Sequence, residues 1–234
     1  TGSGDARLAV LAEHGPLVVP HVCNSQTTSE TPVRDGILAP GRPDNGAWPA
    51  VPAYGYIANH GGLAGAAHVA NIGFIPDRDG VLRRLPLFTS YNGRVYPALA
   101  LALIECCSGG PAPALRKEPF TRVPYTRDWS AFTVVSAADI IKHRIDPASA
   151  SGRLVLVGSS AMGQADRVAT PLAAQRPGLA VHATMLSHLL DQQAGHAPHP
   201  LPGSAIAFLF ALGLVGLALY AFPRVTALAG VGLI

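Results

Sequence analysis

The sequence predicts a single α/β domain, a central mixed sheet flanked by helices, with apolar helices following it. Three observations carry this. Short apolar runs of strand length alternate with segments of helical periodicity along the first two hundred residues. The clearest strand-like run, 153–157 (RLVLV), ends in a loop of small residues, Gly158-Ser159-Ser160-Ala161. Residues 204–222 (SAIAFLFALGLVGLALYAF) are nineteen in a row without a charge. At ~1.5 Å per residue they make a helix of roughly 28 Å, close to the hydrocarbon thickness of a bilayer. The organisation expected is a folded domain over 1–202, a membrane-spanning helix over 203–222, and the start of a second one over 223–234 after the Pro223-Arg224 break. Thr1 is not an initiator methionine and the apolar pattern is still running at Ile234, so the chain reads as an internal piece of a longer protein.

The elements follow in order. Residues 6–14 read as a helix that Gly15 could cap, and 17–22 (LVVPHV) as a short buried strand. From 25 to 52 no period is sustained and Pro, Gly, Asp and Asn abound, the signature of a long loop. Residues 68–75 (HVANIGFI) form a second strand, Asp77-Arg78-Asp79-Gly80 a turn, and 81–91 a third strand closed by the Asn92-Gly93 hairpin signal. That order predicts a meander. Pro97 is placed to open an apolar helix over 97–107 (PALALALIECC), because its missing N–H would have no partner at the first helical position. Ser136 and Asp139 are spaced as a capping box for a short helix towards His143, and 179–193 has helical periodicity.

Composition excludes several classes. Of 17 Lys and Arg only Arg224 lies beyond Gly203, leaving 16 against 14 Asp and Glu, a net +2. A nucleic-acid binder would carry a concentrated basic face instead. The three cysteines, Cys23, Cys106 and Cys107, are odd in number and two are adjacent, so no disulfide framework is expected. Cys106 and Cys107 read as small apolar residues at a helix end. With no Cys-x-x-Cys pair and no His pair at ligand spacing, neither a metal nor another cofactor is expected.

The candidate site residues fall into three groups. Asp77 and Asp79 flank a turn beside Arg83 and Arg84, and one arginine of two neighbours on a strand must face the less exposed side, where it needs a carboxylate. Asp77, Asp79 and Asp166 are the candidates for that partner. Ser159 and Ser160 lie beyond the end of the RLVLV run, where open α/β sheets place ligands, although the spacing matches neither a dinucleotide fingerprint nor a P-loop. His182 sits at the centre of a helical stripe made by Val181, Met185, Leu186, Leu189 and Leu190, so it should face the core, either as a hydrogen-bonded structural imidazole or as a titratable sensor. Ser160, Asp166 and His182 follow the chain order of an α/β-hydrolase triad, but Met162 stands where the nucleophile elbow needs glycine. No catalytic residue is assigned.

Several motifs in one order resemble a known family. They are the stretch from His68 through Asn71, Pro76, Asp77, Asp79, Gly80, Arg83 and Arg84 to Leu87, then Tyr96-Pro97, Gly158-Ser159-Ser160-Ala161, Asp166, Thr170-Pro171-Leu172 and Pro177-Gly178 to His182-Ala183. Together with the opening helix and strand from Asp5 to Pro20, they resemble the CHASE family of extracytoplasmic sensory domains, of its second type. The resemblance implies a non-enzymatic sensor outside the bacterial cytoplasmic membrane, with one membrane helix before it and usually three after it. It also implies a cytoplasmic output domain, commonly an adenylate or guanylate cyclase or a histidine kinase. The partners expected are a small-molecule or protein stimulus, the lipid bilayer and a second copy of the chain as a homodimer, with no nucleic acid. A membrane-tethered serine hydrolase and a purely structural dimerisation module are the alternatives.

Overall fold

The computed structural model describes residues 2–26, 31–109, 113, 115–159, 166–193 and 203–217. The chain divides into two units, Thr1–Gly195 and His196–Ile234.

The first unit is built on a parallel pair of strands. Strand β1 (Val18–Asn24) follows helix α1 (Ser3–His14), whose end is closed by the Gly15 amide donating to the Leu11 carbonyl at 2.8 Å. Its parallel partner is β6 (His68–Asn71), with Val18 opposite His68 and Val19 opposite Val69. The sequence here is apolar on both faces because both faces are covered. Val18 and Ala70 point into the larger core with Leu101, Val181 and Met185, whereas Val19 and Val69 point into a smaller one with Ala12, Leu63 and Tyr96. Strands β5 (Gly55–Ile57) and β2 (Arg34–Asp35) extend this sheet in the order β2-β5-β1-β6.

A second four-stranded sheet, β3-β9-β8-β4, is formed by β3 (Arg42–Pro43), β4 (Val51–Pro52), β8 (Phe88–Tyr91) and β9 (Arg94–Pro97). Its hairpin turns as the sequence predicts: Asn92 at φ 47° and Gly93 at φ 71° are both left-handed, as a type I′ turn requires. The long loop expected over 25–52 therefore contributes three short edge strands. Two further ladders pair β7 (Arg84–Pro86) with β10 (Phe120–Arg122) and β11 (Arg167–Thr170) with β12 (Ala173–Pro177). Helix α2 (Leu99–Cys107) and helix α4 (Gly178–Gln193) pack together across the larger core, while the short α3 (Ala137–Ile141) lies outside it, capped by Ser136 Oγ accepting from the Ala138 amide at 3.3 Å.

The structure corrects the sequence reading at five places. The single central sheet is two mixed sheets. The meander is absent: β6 pairs with β1, and the 81–91 run divides at Leu87 into β7 and β8, which face different partners. Pro97 ends β9 instead of opening α2, which begins at Leu99. Residues 153–159 form no strand: Leu154 and Leu156 pack on the core and Val157 is 90% exposed, so the alternation is real but no ladder accompanies it. An apolar run states which side is buried; a strand also needs a neighbour with free hydrogen bonds. Finally, Cys106 and Cys107 are joined as a vicinal disulfide at the end of α2.

In the second unit residues 203–217 are helical and exposed throughout. Among the described residues no helix is long and apolar enough to cross a membrane. The expected span runs on through 218–222, outside the described residues.

One side chain joins the two sheets. The Asn71 carboxamide accepts from the Cys23 amide at 2.9 Å and the Gly73 amide at 2.8 Å, and donates to Thr89 Oγ1 at 2.9 Å, all within a site where Asn71 is 5% and Thr89 1% exposed. Residue 73 must be glycine for this, since a Cβ there would stand 2.8 Å from the Cys23 carbonyl oxygen. Each buried group left without its partner costs about 1–3 kcal/mol. Asn71→Leu, which strands three groups, should lower unfolding stability in urea by roughly 3 kcal/mol or more, and Thr89→Val by about half that. Equal, small losses for both would show that the network is dispensable.

Candidate functional site

The turn acids and arginines come together on the surface. The turn is closed by the Gly80 amide donating to the Asp77 carbonyl at 2.8 Å, with Gly80 at φ 78°. This aims both carboxylates at the strand that follows. Arg83 donates to Asp79 at 2.9 and 2.7 Å and to Asp77 at 3.2 Å, while Arg84 Nε donates to the other oxygen of Asp77 at 2.9 Å and its guanidinium lies over the Phe120 ring. The Arg83 hydrogen bonds hold the Asp79 carboxyl down to about 2. The expectation of a buried arginine is corrected: the Arg83 side chain is 41% exposed and Arg84 55%, and Asp166 takes no part. Solvent on one side of the β7–β10 ladder gives both arginines a route to water, so neither has to be neutralised inside the protein.

His182 is where the helical stripe places it. It is 6% exposed in the first half of α4, stacked on Phe74 with ring centroids 4.9 Å apart. Burial drives its pKa down to about 4, partly opposed by a hydrogen bond to the Ile72 backbone, and Nδ1 has no hydrogen-bond partner among the described residues. Phe74 also fixes the start of the helix, because a Cβ at Gly178 would meet its ring at 2.8 Å and the Asp166 carboxylate at 3.3 Å. The Gly178 amide is satisfied by the Asp166 carbonyl at 2.7 Å. So His182 and Asp166 lie at the same end of α4, on either side of Phe74 and Gly178, yet no hydrogen bond joins them. Asp166 and Ser159 are exposed, and Ser160 lies outside the described residues. Without an Asp–His bond the triad order has no triad geometry.

Sequence reasoning also missed the burial of Arg176 and His21. Arg176, on β12, is 6% exposed, makes no ion pair among the described residues and leaves Nη1 without a partner. Its charge acts on Tyr125, whose hydroxyl donates to the Leu82 carbonyl at 2.7 Å and is pushed up to about 12 by burial, against the pull of that charge. His21, on β1, is 3% exposed with its ring edge-on to Tyr96, and burial lowers its pKa to about 4. Its position two residues before Cys23 puts both on one face of the strand, which strand alternation alone could have revealed. Among the described residues no His, Cys, Asp and Glu cluster could hold a metal ion.

The model of the CHASE2 domain matches residues 3–219. The chain belongs to the CHASE2 family. CHASE2 is an extracytoplasmic, non-catalytic sensory domain of signalling receptors. No curated protein and no solved structure matches the chain.

Two outcomes follow for this CHASE2 domain. His21 and His182 stay neutral in the folded protein down to about pH 4 but titrate near 6.5 when unfolded. Between those values the unfolded chain binds more protons, so stability must fall as pH drops from 6.5 towards 4. The expected loss is roughly 3 kcal/mol per imidazole, and urea unfolding of His182→Gln and His21→Gln should each show a flatter pH dependence than wild type. The surface cluster behaves differently. Arg83→Gln and Arg84→Gln should leave the urea midpoint close to wild type at physiological salt, because exposed pairs are screened; a large loss in either would show that the cluster holds the fold.

Proposed function

We propose that this domain is the extracytoplasmic sensory part of a homodimeric, multi-pass receptor in a bacterial cytoplasmic membrane. It regulates a cytoplasmic output enzyme, an adenylate or guanylate cyclase or a histidine kinase, and is anchored by the apolar segments at 203–222 and 223–234. The observation that carries the reading is the course of α4. The helix bears the buried His182 in its first half, packs on α2, and ends at Gln193, ten residues before the apolar helix that begins at 203. Any event that repacks the larger core therefore bears on the element leading to the apolar segment. The intervening sequence has prolines at 198, 200 and 202, a composition that favours an extended, semi-rigid spacer over a flexible coil.

The sensory domain then lies outside and Arg224, the one charge between the two apolar runs, lies inside, as cationic short loops prefer. An impermeant thiol reagent on intact cells should label a cysteine placed at Asn92 and spare one placed at Arg224; the opposite pattern reverses the topology. Replacing 197–202 by a longer Gly/Ser stretch in the full-length receptor should abolish the output response while leaving the domain folded. A normal response with that linker would send the signal by another route.

A further inference from the structure

The seam between the two four-stranded sheets is not closed along its whole length. At one end Asn71 of β6 bridges Ala98 in parallel register. Towards the other end β6 and the β3–β9 pair diverge around a cavity of about 270 Å³, lined by Gly41, Arg42, His68, Val69 and Pro97 and floored by Ala102 of α2. The walls offer hydrogen bonds. Since the Ile72 amide donates to His21 of β1, the residues of β6 in step with Ile72 face β1, and Val69 presents its N–H and C=O to the opposite side, towards the seam.

One charge lines this cavity, and its partner, outside the lining, adjoins it. Arg42 lines it, and its guanidinium forms a two-pronged pair with Glu105, Nη1 to Oε1 at 3.2 Å and Nη2 to Oε2. Glu105 lies three residues beyond Ala102, hence on the same side of α2. The side chains are 56% and 31% exposed, so the pair is held weakly and can be exchanged. A simple carboxylate taking Arg42 would strand Glu105, and a simple amine taking Glu105 would strand Arg42. A ligand carrying both charged groups on one carbon replaces the pair without leaving either charge alone. The volume lies just below the ~300–1,000 Å³ of sites for drug-sized molecules, which sets the scale of what fits.

We propose that the seam cavity binds a free α-amino acid, its carboxylate taken two-pronged by Arg42, its ammonium by Glu105, and its side chain directed over Ala102 and the β6 edge. This rests on the sensory reading and deepens it. The floor of the cavity belongs to α2, which packs along α4, so occupancy bears on the helix that leads out of the domain.

The test uses the full chain in detergent and follows thermal unfolding with each of the twenty L-amino acids as probe. At least one should raise the midpoint saturably, as a ligand specific to the folded state must. Its N-acetyl and carboxamide derivatives, each lacking one charge, should not. Arg42→Gln and Glu105→Gln should each weaken the response on the order of tenfold or more while leaving the unliganded midpoint near wild type, because the pair is exposed. The proposal is overturned if no L-amino acid shifts the midpoint, if the blocked derivatives act equally well, or if both variants respond as wild type does. A sugar, nucleotide or dicarboxylate that stabilises wild type and both variants alike overturns the amino-acid site and leaves the sensory function standing. That function fails on the linker and topology experiments instead.

Discussion

The Asn71 carboxamide is the constraint on which the domain turns. One side chain satisfies backbone donors from β1 and from the residue that leaves β6, and gives its own proton to a hydroxyl on β8. A carboxylate at 71 would lack the donor that Thr89 receives and an aliphatic residue would lack everything, so the position is chemically specified. Its consequences spread in both directions. The sheets are brought edge to edge at Asn71 and Ala98, and α2 starts directly after that bridge, which delivers its apolar run beneath both. Because the join is made at one end only, the sheets are free to part at the other, and the seam cavity is the result.

Charge is sorted with equal strictness. Arg83, Arg84, Arg42 and Arg127 meet carboxylates where solvent reaches them, on turns, edges and the last turn of α4. Inside, the titratable groups are kept in their uncharged forms by burial: His21 and His182 as free imidazoles, Cys23 as a thiol with its pKa pushed up to about 12. Arg176 breaks this pattern. Its guanidinium is buried with no ion pair among the described residues, and it lies where the β11–β12 hairpin hands the chain to α4.

How much of this was legible in the sequence follows from the range of each interaction. Elements fixed by neighbours in the chain were readable: the Asn92-Gly93 turn, the Ser136 cap, the 179–193 helix and the inward face of His182 are all set within a few residues. Asp77, Asp79, Arg83 and Arg84 were found as a cluster for the same reason, since a tight turn brings them together. Their exposure was not readable, because it depends on what covers β7. Pairing was the main failure. Whether 68–75 adds to the strand after it or to one fifty residues earlier is decided by Asn71 and by the two cores on either side of β6, and nothing in the local pattern distinguishes the cases. The RLVLV run shows the converse, a strand-like alternation without a strand. Arg42, His68 and Glu105 were invisible as a group, lying on three elements that meet only in the fold.

The contact between Phe74 and Gly178 has a mechanical meaning. With 2.8 Å between the ring and the place a Cβ would occupy, there is no clearance between the 72–76 segment and the first turn of α4. A joint with clearance absorbs small displacements, and one without it passes them on. Anything that pushes the segment following β6 sideways must carry the root of the helix with it, and the smallest side chain that adds a methyl group at 178 would wedge the joint apart. The position thus tolerates one residue type for reasons of motion as much as of packing.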